Sequence, residues 1–142
     1  MQDAQPAPSA EQLAQRFVRS ALGFAQEREV NANILLQFGS ISVIARVREG
    51  TVFDVVSSLP PLQSWDYALR GTERAWWALW QPMPAPGWHD IFALAKRREF
   101  WIEGQLQPLM ANLQFVKDLA ASPRSLICAG DAGLPLEKGE ED

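Results

Sequence analysis

The sequence predicts a mixed α/β fold of the α+β type, and three observations predict it. Apolar residues fall at helical spacing near the N-terminus, alternate with period two through the next stretch, and return to helical spacing near the C-terminus. The period-two stretch is cut by Gly39-Ser40 and Glu49-Gly50, turn residues of the kind that join antiparallel neighbours. All six tryptophans lie between Trp65 and Trp101, which builds either a thick core or the wall of an apolar pocket.

Residues 1–8 carry Pro6 and Pro8 among small polar residues and read as a flexible arm. Ser9-Ala-Glu-Gln12 has capping-box spacing, and Leu13, Phe17, Ala21 and Phe24 follow at helical intervals, which predicts a helix over 9–26. Ile34, Leu36 and Phe38 then alternate with Asn33, Leu35 and Gln37. Ile41, Val43, Ala45 and Val47 alternate with Ser42, Ile44, Arg46 and Arg48, and Thr51 to Ser57 is rich in β-branched residues. These segments predict a β-meander, in which 34–38 pairs antiparallel with 41–47 because so short a turn permits nothing else. Pro60-Pro61 ends the third strand, and a fourth fits 65–69, closed by Gly71.

Thr72 suits an N-cap, with Glu73 in the first turn of a helix through Trp80. Gln-Pro-Met-Pro-Ala-Pro-Gly, 81–87, is a stiff linker. A second helix over 88–97 directs Ile91, Phe92, Leu94 and Ala95 inward. Glu99 to Glu103 is strand-like and stops at Gly104. A last helix, 105–121, carries Leu106, Leu109, Leu113, Val116 and Ala120, and Ser122-Pro123 ends it. A single domain over 9–124 is expected, followed by a weakly ordered acidic tail over 125–142.

A chain of 142 residues is long enough for one domain with a real core, and 47% apolar content argues against disorder. The net charge is −4, but the last six residues supply −3 of it and leave the body near neutral. No basic field exists to hold a phosphate backbone, so no nucleic acid partner is expected. Lys96-Arg97-Arg98 is the only basic run and reads as a helix C-terminal cap. The lone Cys128 excludes an internal disulfide or a zinc site of several thiolates. The N-terminus has no basic n-region and apolar h-region, and no apolar run approaches the ~20 residues of a membrane span, so the protein reads as cytoplasmic.

Signatures of catalysis, phosphate binding and dinucleotide binding are missing from the sequence. His89 and Asp90 are neighbours that cannot face each other on a helix, and His89 reads as a surface residue. Cys128 has no second histidine to activate it. Asp54 alternates to the strand face of Val52 and Val56 and reads as a solvent-facing acid. No catalytic residue, metal or cofactor is expected. Trp76 and Trp80, at i and i+4, form a stripe that serves either as core or as pocket wall. Trp77 lies off that stripe, and Trp101 points away from Phe100 and Ile102. One apolar face must therefore meet another helix, a ligand, a partner or a membrane surface.

The order of elements resembles the sterol carrier protein type two family. The resemblance spans about residues 10–124 and rests most on Pro84-Ala-Pro-Gly-Trp-His-Asp-Ile-Phe-Ala-Leu-Ala95 and on Phe100-Trp-Ile-Glu-Gly-Gln-Leu-Gln-Pro-Leu-Met-Ala-Asn-Leu-Gln-Phe115. In that pattern an aliphatic strand ends in a glycine, here Ile102 and Gly104, before a helix whose apolar face, Leu109, Leu113 and Val116, helps close a cavity. Gln105 stands where an acid is usual, and Glu-Glu-Asp ends the chain in place of a peroxisomal signal. The resemblance implies a curved, largely antiparallel five-stranded sheet covered by helices on one face, with an apolar tunnel or cavity. It implies non-enzymatic binding of a lipid-like small molecule: fatty acyl, isoprenoid, sterol or phospholipid. Trp76, Trp77, Trp80, Phe92, Trp101, Leu109, Met110 and Leu113 are the candidate lining. A second reading is an accessory module with a filled core that docks on a partner enzyme or a transient membrane surface. A third is a cone-shaped isomerase with Asp54 or Asp66 as base, for which Tyr67 and His89 are scarce support.

Overall fold

A computed structural model describes residues 8–57 and 64–127. Its elements run α1 (Ala10–Ala21), β1 (Ala32–Phe38), β2 (Ile41–Arg48), β3 (Thr51–Val56), β4 (Tyr67–Gly71), α2 (Glu73–Leu79), α3 (Ile91–Lys96), β5 (Phe100–Gly104), α4 (Leu106–Ala111), α5 (Leu113–Ala120) and α6 (Pro123–Leu126). Pro60-Pro61, Cys128 and the acidic tail lie outside the described residues.

The five strands form one mixed sheet in the order β3-β2-β1-β4-β5. The meander is as expected: β1 pairs antiparallel with β2, placing Leu35 opposite Ile44, and β2 with β3. Its second turn sets Glu49 at φ 50° and Gly50 at φ 77°, the doubly left-handed backbone of a tight hairpin. β4 does not extend the meander. It lies parallel to β1, with Leu36 beside Leu69, and antiparallel to β5.

Several boundaries differ from those expected. The capping box at Ser9 forms in both directions, but α1 stops at Ala21 and not at 26. Gly23, at φ 87°, turns the chain so that Phe24 accepts from the Val52 amide and Ala25 bridges to Thr51. Pairing with the edge of β3 replaces helical bonds there. The expected 105–121 helix is two helices meeting at Asn112, whose φ of −120° is not helical. The Asn112 side chain donates to the Pro108 carbonyl, a local bond that competes with helix continuation. Pro123 ends α5 and also opens α6, where weak structure was expected. The Arg124 guanidinium there donates to the Leu79 carbonyl at 2.6 Å, closing the end of α2.

The core fills the side of the sheet that carries Ile34, Leu36, Phe38, Val43, Ala45 and Leu69. Leu13 and Phe17 of α1, Trp76 and Leu79 of α2, Leu94 of α3 and Val116 and Leu119 of α5 pack onto it. A smaller cluster of Leu35, Ile44 and Ala68, with Val56 and Trp65 against it, occupies the opposite face.

Candidate functional site

Trp76 and Trp80 are fully buried. Their ring centroids lie 5.8 Å apart, and Trp76 sits 4.8 Å from Phe38 and 5.1 Å from Phe100. The Trp76 indole N–H donates to the Gln37 carbonyl at 2.8 Å, and that of Trp80 to the Ala120 carbonyl at 2.8 Å. Each indole is therefore buried with its polar atom satisfied, and ties α2 to β1 or to α5. Gly71 makes the close packing possible: a Cβ there would stand 2.8 Å from both the Trp76 indole nitrogen and the Phe100 ring. The space between helices and sheet at this point is filled by aromatic rings.

The other candidate lining residues do not converge. Leu109 is buried and Leu113 packs against the same core. Trp77 lies at its margin, with the Arg16 guanidinium 5.1 Å over its ring. Phe92 was expected to face inward and instead turns out. α3 has only six residues, buries Ile91 and Leu94, and leaves Phe92 beside the Lys117 ammonium at 5.5 Å. Met110 is exposed on α4. Trp101 is 48% exposed on the outer face of β5, opposite in sense to Phe100 and Ile102 as the alternation requires.

An open apolar groove lies elsewhere, between α1 and β2, with a volume of about 590 Å³. Ala14 and Val18 come from the helix, one turn apart, and Ile41 and Val43 from the strand, two residues apart. Exposed Glu11, Gln15, Arg19 and Ser57 surround it. The sequence held its signal in Ala14, a small side chain on the buried stripe of α1, where a larger one would have closed the gap.

The ionisable candidates are apart from this groove, and only Asp66 and Tyr67 are neighbours. A bulge between Arg46 and Val47 shifts the β3 register, so Val52 is buried in the core while Asp54 lies on the outer face opposite Arg46. Asp54 and Val52 thus do not share a face. The Asp66 carboxylate accepts from the Asn33 amide at 2.7 Å and serves as a backbone latch. Tyr67 is fully buried on the inner face, its hydroxyl without a hydrogen-bond partner among the described residues. Burial, with a smaller contribution from the Asp66 charge, pushes its pKa up to about 12. His89 precedes α3 at the mouth of a polar pocket that also holds the Asp90–Lys117 ion pair at 3.3 Å. Among the described residues no cluster of three or more His, Cys, Asp or Glu forms a metal site. No helix among them is long and apolar enough to cross a membrane.

No protein-family model and no curated protein matches the chain. Solved structures do. The solution structure of a conserved hypothetical protein of Thermus thermophilus, suggested to be a sterol carrier protein, superposes with a TM-score of 0.57 at 12% identity, covering 87% of this chain and 92% of that one. The chain has a sterol-carrier-protein-type-two-like fold. A ubiquinone synthesis protein, UbiJ-SCP2, gives a TM-score of 0.46 at 20% identity over 82% of this chain and 88% of its own. The apo form of sterol carrier protein 2 from Yarrowia lipolytica gives 0.43 at 15% over 79% and 78%.

Proposed function

We propose that this chain binds the apolar part of a lipid-like molecule, a fatty acyl, isoprenoid, sterol or phospholipid, in the α1–β2 groove and does no chemistry on it. The observation that carries this reading is an apolar groove of about 590 Å³ between helix and sheet in a sterol-carrier-like fold. Removing a methylene from water contributes about 0.8 kcal/mol, so ~10 of them would contribute ~8 kcal/mol, the scale of a micromolar complex. The groove holds no tryptophan, so intrinsic fluorescence is not its natural reporter.

Methyl NMR titration with oleate is the test. Saturable shifts are expected at Ala14, Val18, Ile41 and Val43. Val18→Trp should fill the groove and abolish them while thermal unfolding stays cooperative. Shifts that persist in Val18→Trp, or fail to appear with fatty acids, acyl-CoA and isoprenoids alike, would overturn the assignment. In the second case the docking-module reading gains, and one observation already favours it: Trp76 and Trp80 fill the space beneath the helices.

A further inference from the structure

We propose that a second groove, between α2 and the 81–88 linker, is a docking site for an acidic, apolar-anchored peptide segment of a partner protein. It has a volume of about 600 Å³ and is walled by Ala78, Pro82, Met83, Ala85 and Trp88, with Arg74 at its rim. It shares no residue with the α1–β2 groove, and the proposal does not depend on lipid binding.

The site is built rather than incidental. The Arg97 guanidinium lies 4.1 Å from the Trp88 ring centroid and that of Arg74 lies 5.2 Å from it. Arg74 pairs with the Glu99 carboxylate, which also accepts from the Thr72 hydroxyl at 2.8 Å, the cap of α2. Gly87, at φ 87°, leaves room for this arrangement, because a Cβ there would stand 2.8 Å from Arg97 Nη1. Three prolines stiffen the linker, so little ordering cost falls on binding. Yet Met83 is 89% exposed on this wall. Trp, Met and Arg together are the side chains enriched at the centres of protein interfaces.

Charge selects the occupant. Arg74 and Arg97 are both exposed and both lie over the Trp88 ring, with Glu99 the acid paired to Arg74. The Lys96-Arg97-Arg98 run therefore does more than end α3: Arg97 stacks on Trp88. Carboxylates of a partner segment meet this rim while an apolar side chain enters beside Met83.

Selection of a random-peptide display library on the full chain tests this. Enriched sequences should combine Asp or Glu with a Leu, Met or aromatic anchor. A synthetic peptide of the enriched sequence should bind less tightly at high salt. Met83→Asp and Arg97→Glu should each weaken it about tenfold or more, the size expected at an interface centre. Met83 is too exposed for its replacement to unfold the chain, and Val18→Trp should leave peptide binding unchanged. No enrichment, enriched sequences without acids, or indifference to both substitutions would overturn the proposal. So would anionic vesicles that bind wild type but neither variant, which would point to a lipid surface. Tighter peptide binding after deletion of residues 131–142 would reassign the groove to the chain's own acidic segment.

Discussion

Tyr67 is the single tyrosine of the chain, so its ionisation can be followed without ambiguity. Its hydroxyl is buried with no partner among the described residues, and burial raises its pKa to about 12. The unfolded chain would lose that proton near ~10. A folded-state value above the unfolded one means that the folded form holds the proton more tightly. The associated stability is complete below pH ~10 and is lost as pH rises toward ~12, at up to about 1.4 kcal/mol per unit. Ultraviolet titration should place the tyrosinate midpoint at about 12, with melting temperature falling across the same window. Tyr67→Phe should remove that alkaline decline and cost little at neutral pH, because no hydrogen bond to a described residue is lost. A midpoint near ~10 in the folded protein would contradict this account of the site.

Hairpins and helix ends show where local sequence sufficed. In the β2–β3 turn a Cβ on Gly50 would fall 2.2 Å from the Gln26 carbonyl oxygen, in addition to the strain of φ 77°. Gly23 has a similar φ of 87° with nothing within 4 Å. Chemical denaturation should therefore show Gly50→Ala losing more than about 2 kcal/mol and Gly23→Ala only about 1, the difference measuring the clash. Equal losses would mean that the Gln26 backbone moves aside freely. The meander, the Ser9 capping box and the Thr72 cap were readable because each depends on residues close in sequence. The parallel β1–β4 pairing was not, since no local pattern names a strand's distant partner. Phe24 kept helical spacing with α1 because it packs on Phe115, with ring centroids 5.6 Å apart, although it stands outside the helix. Asn112 and the Arg46–Val47 bulge shifted phase by single residues, which hydrophobic periodicity does not register. The clustering of rings was visible, but whether rings fill a space or line it is settled only by tertiary packing. The groove that does open comes from small and β-branched residues of ordinary appearance.

Across the whole molecule the sheet divides two apolar populations. On one side the large core, the buried tryptophans and the α1–β2 groove share the space beneath the helices. On the other lie the Leu35–Ile44–Ala68 cluster and, on the edge strand, Trp101 beside Arg70 of the neighbouring strand. Arg70 is itself fixed by Glu103 at 2.9 Å and stacks 5.6 Å from Trp65. A side chain on that face has no path to a ligand under α1 except through the sheet, and well-separated sites couple weakly. Trp101→Ala should therefore leave oleate affinity within about twofold of wild type. It should also shift the emission maximum to shorter wavelength, because a half-exposed indole is lost while Trp76 and Trp80 stay buried. Val18→Trp, on the other side, should abolish binding. If Trp101→Ala abolished it instead, with cooperative unfolding intact, the lipid site would belong to the outer face of the sheet and the α1–β2 groove would lose its assignment.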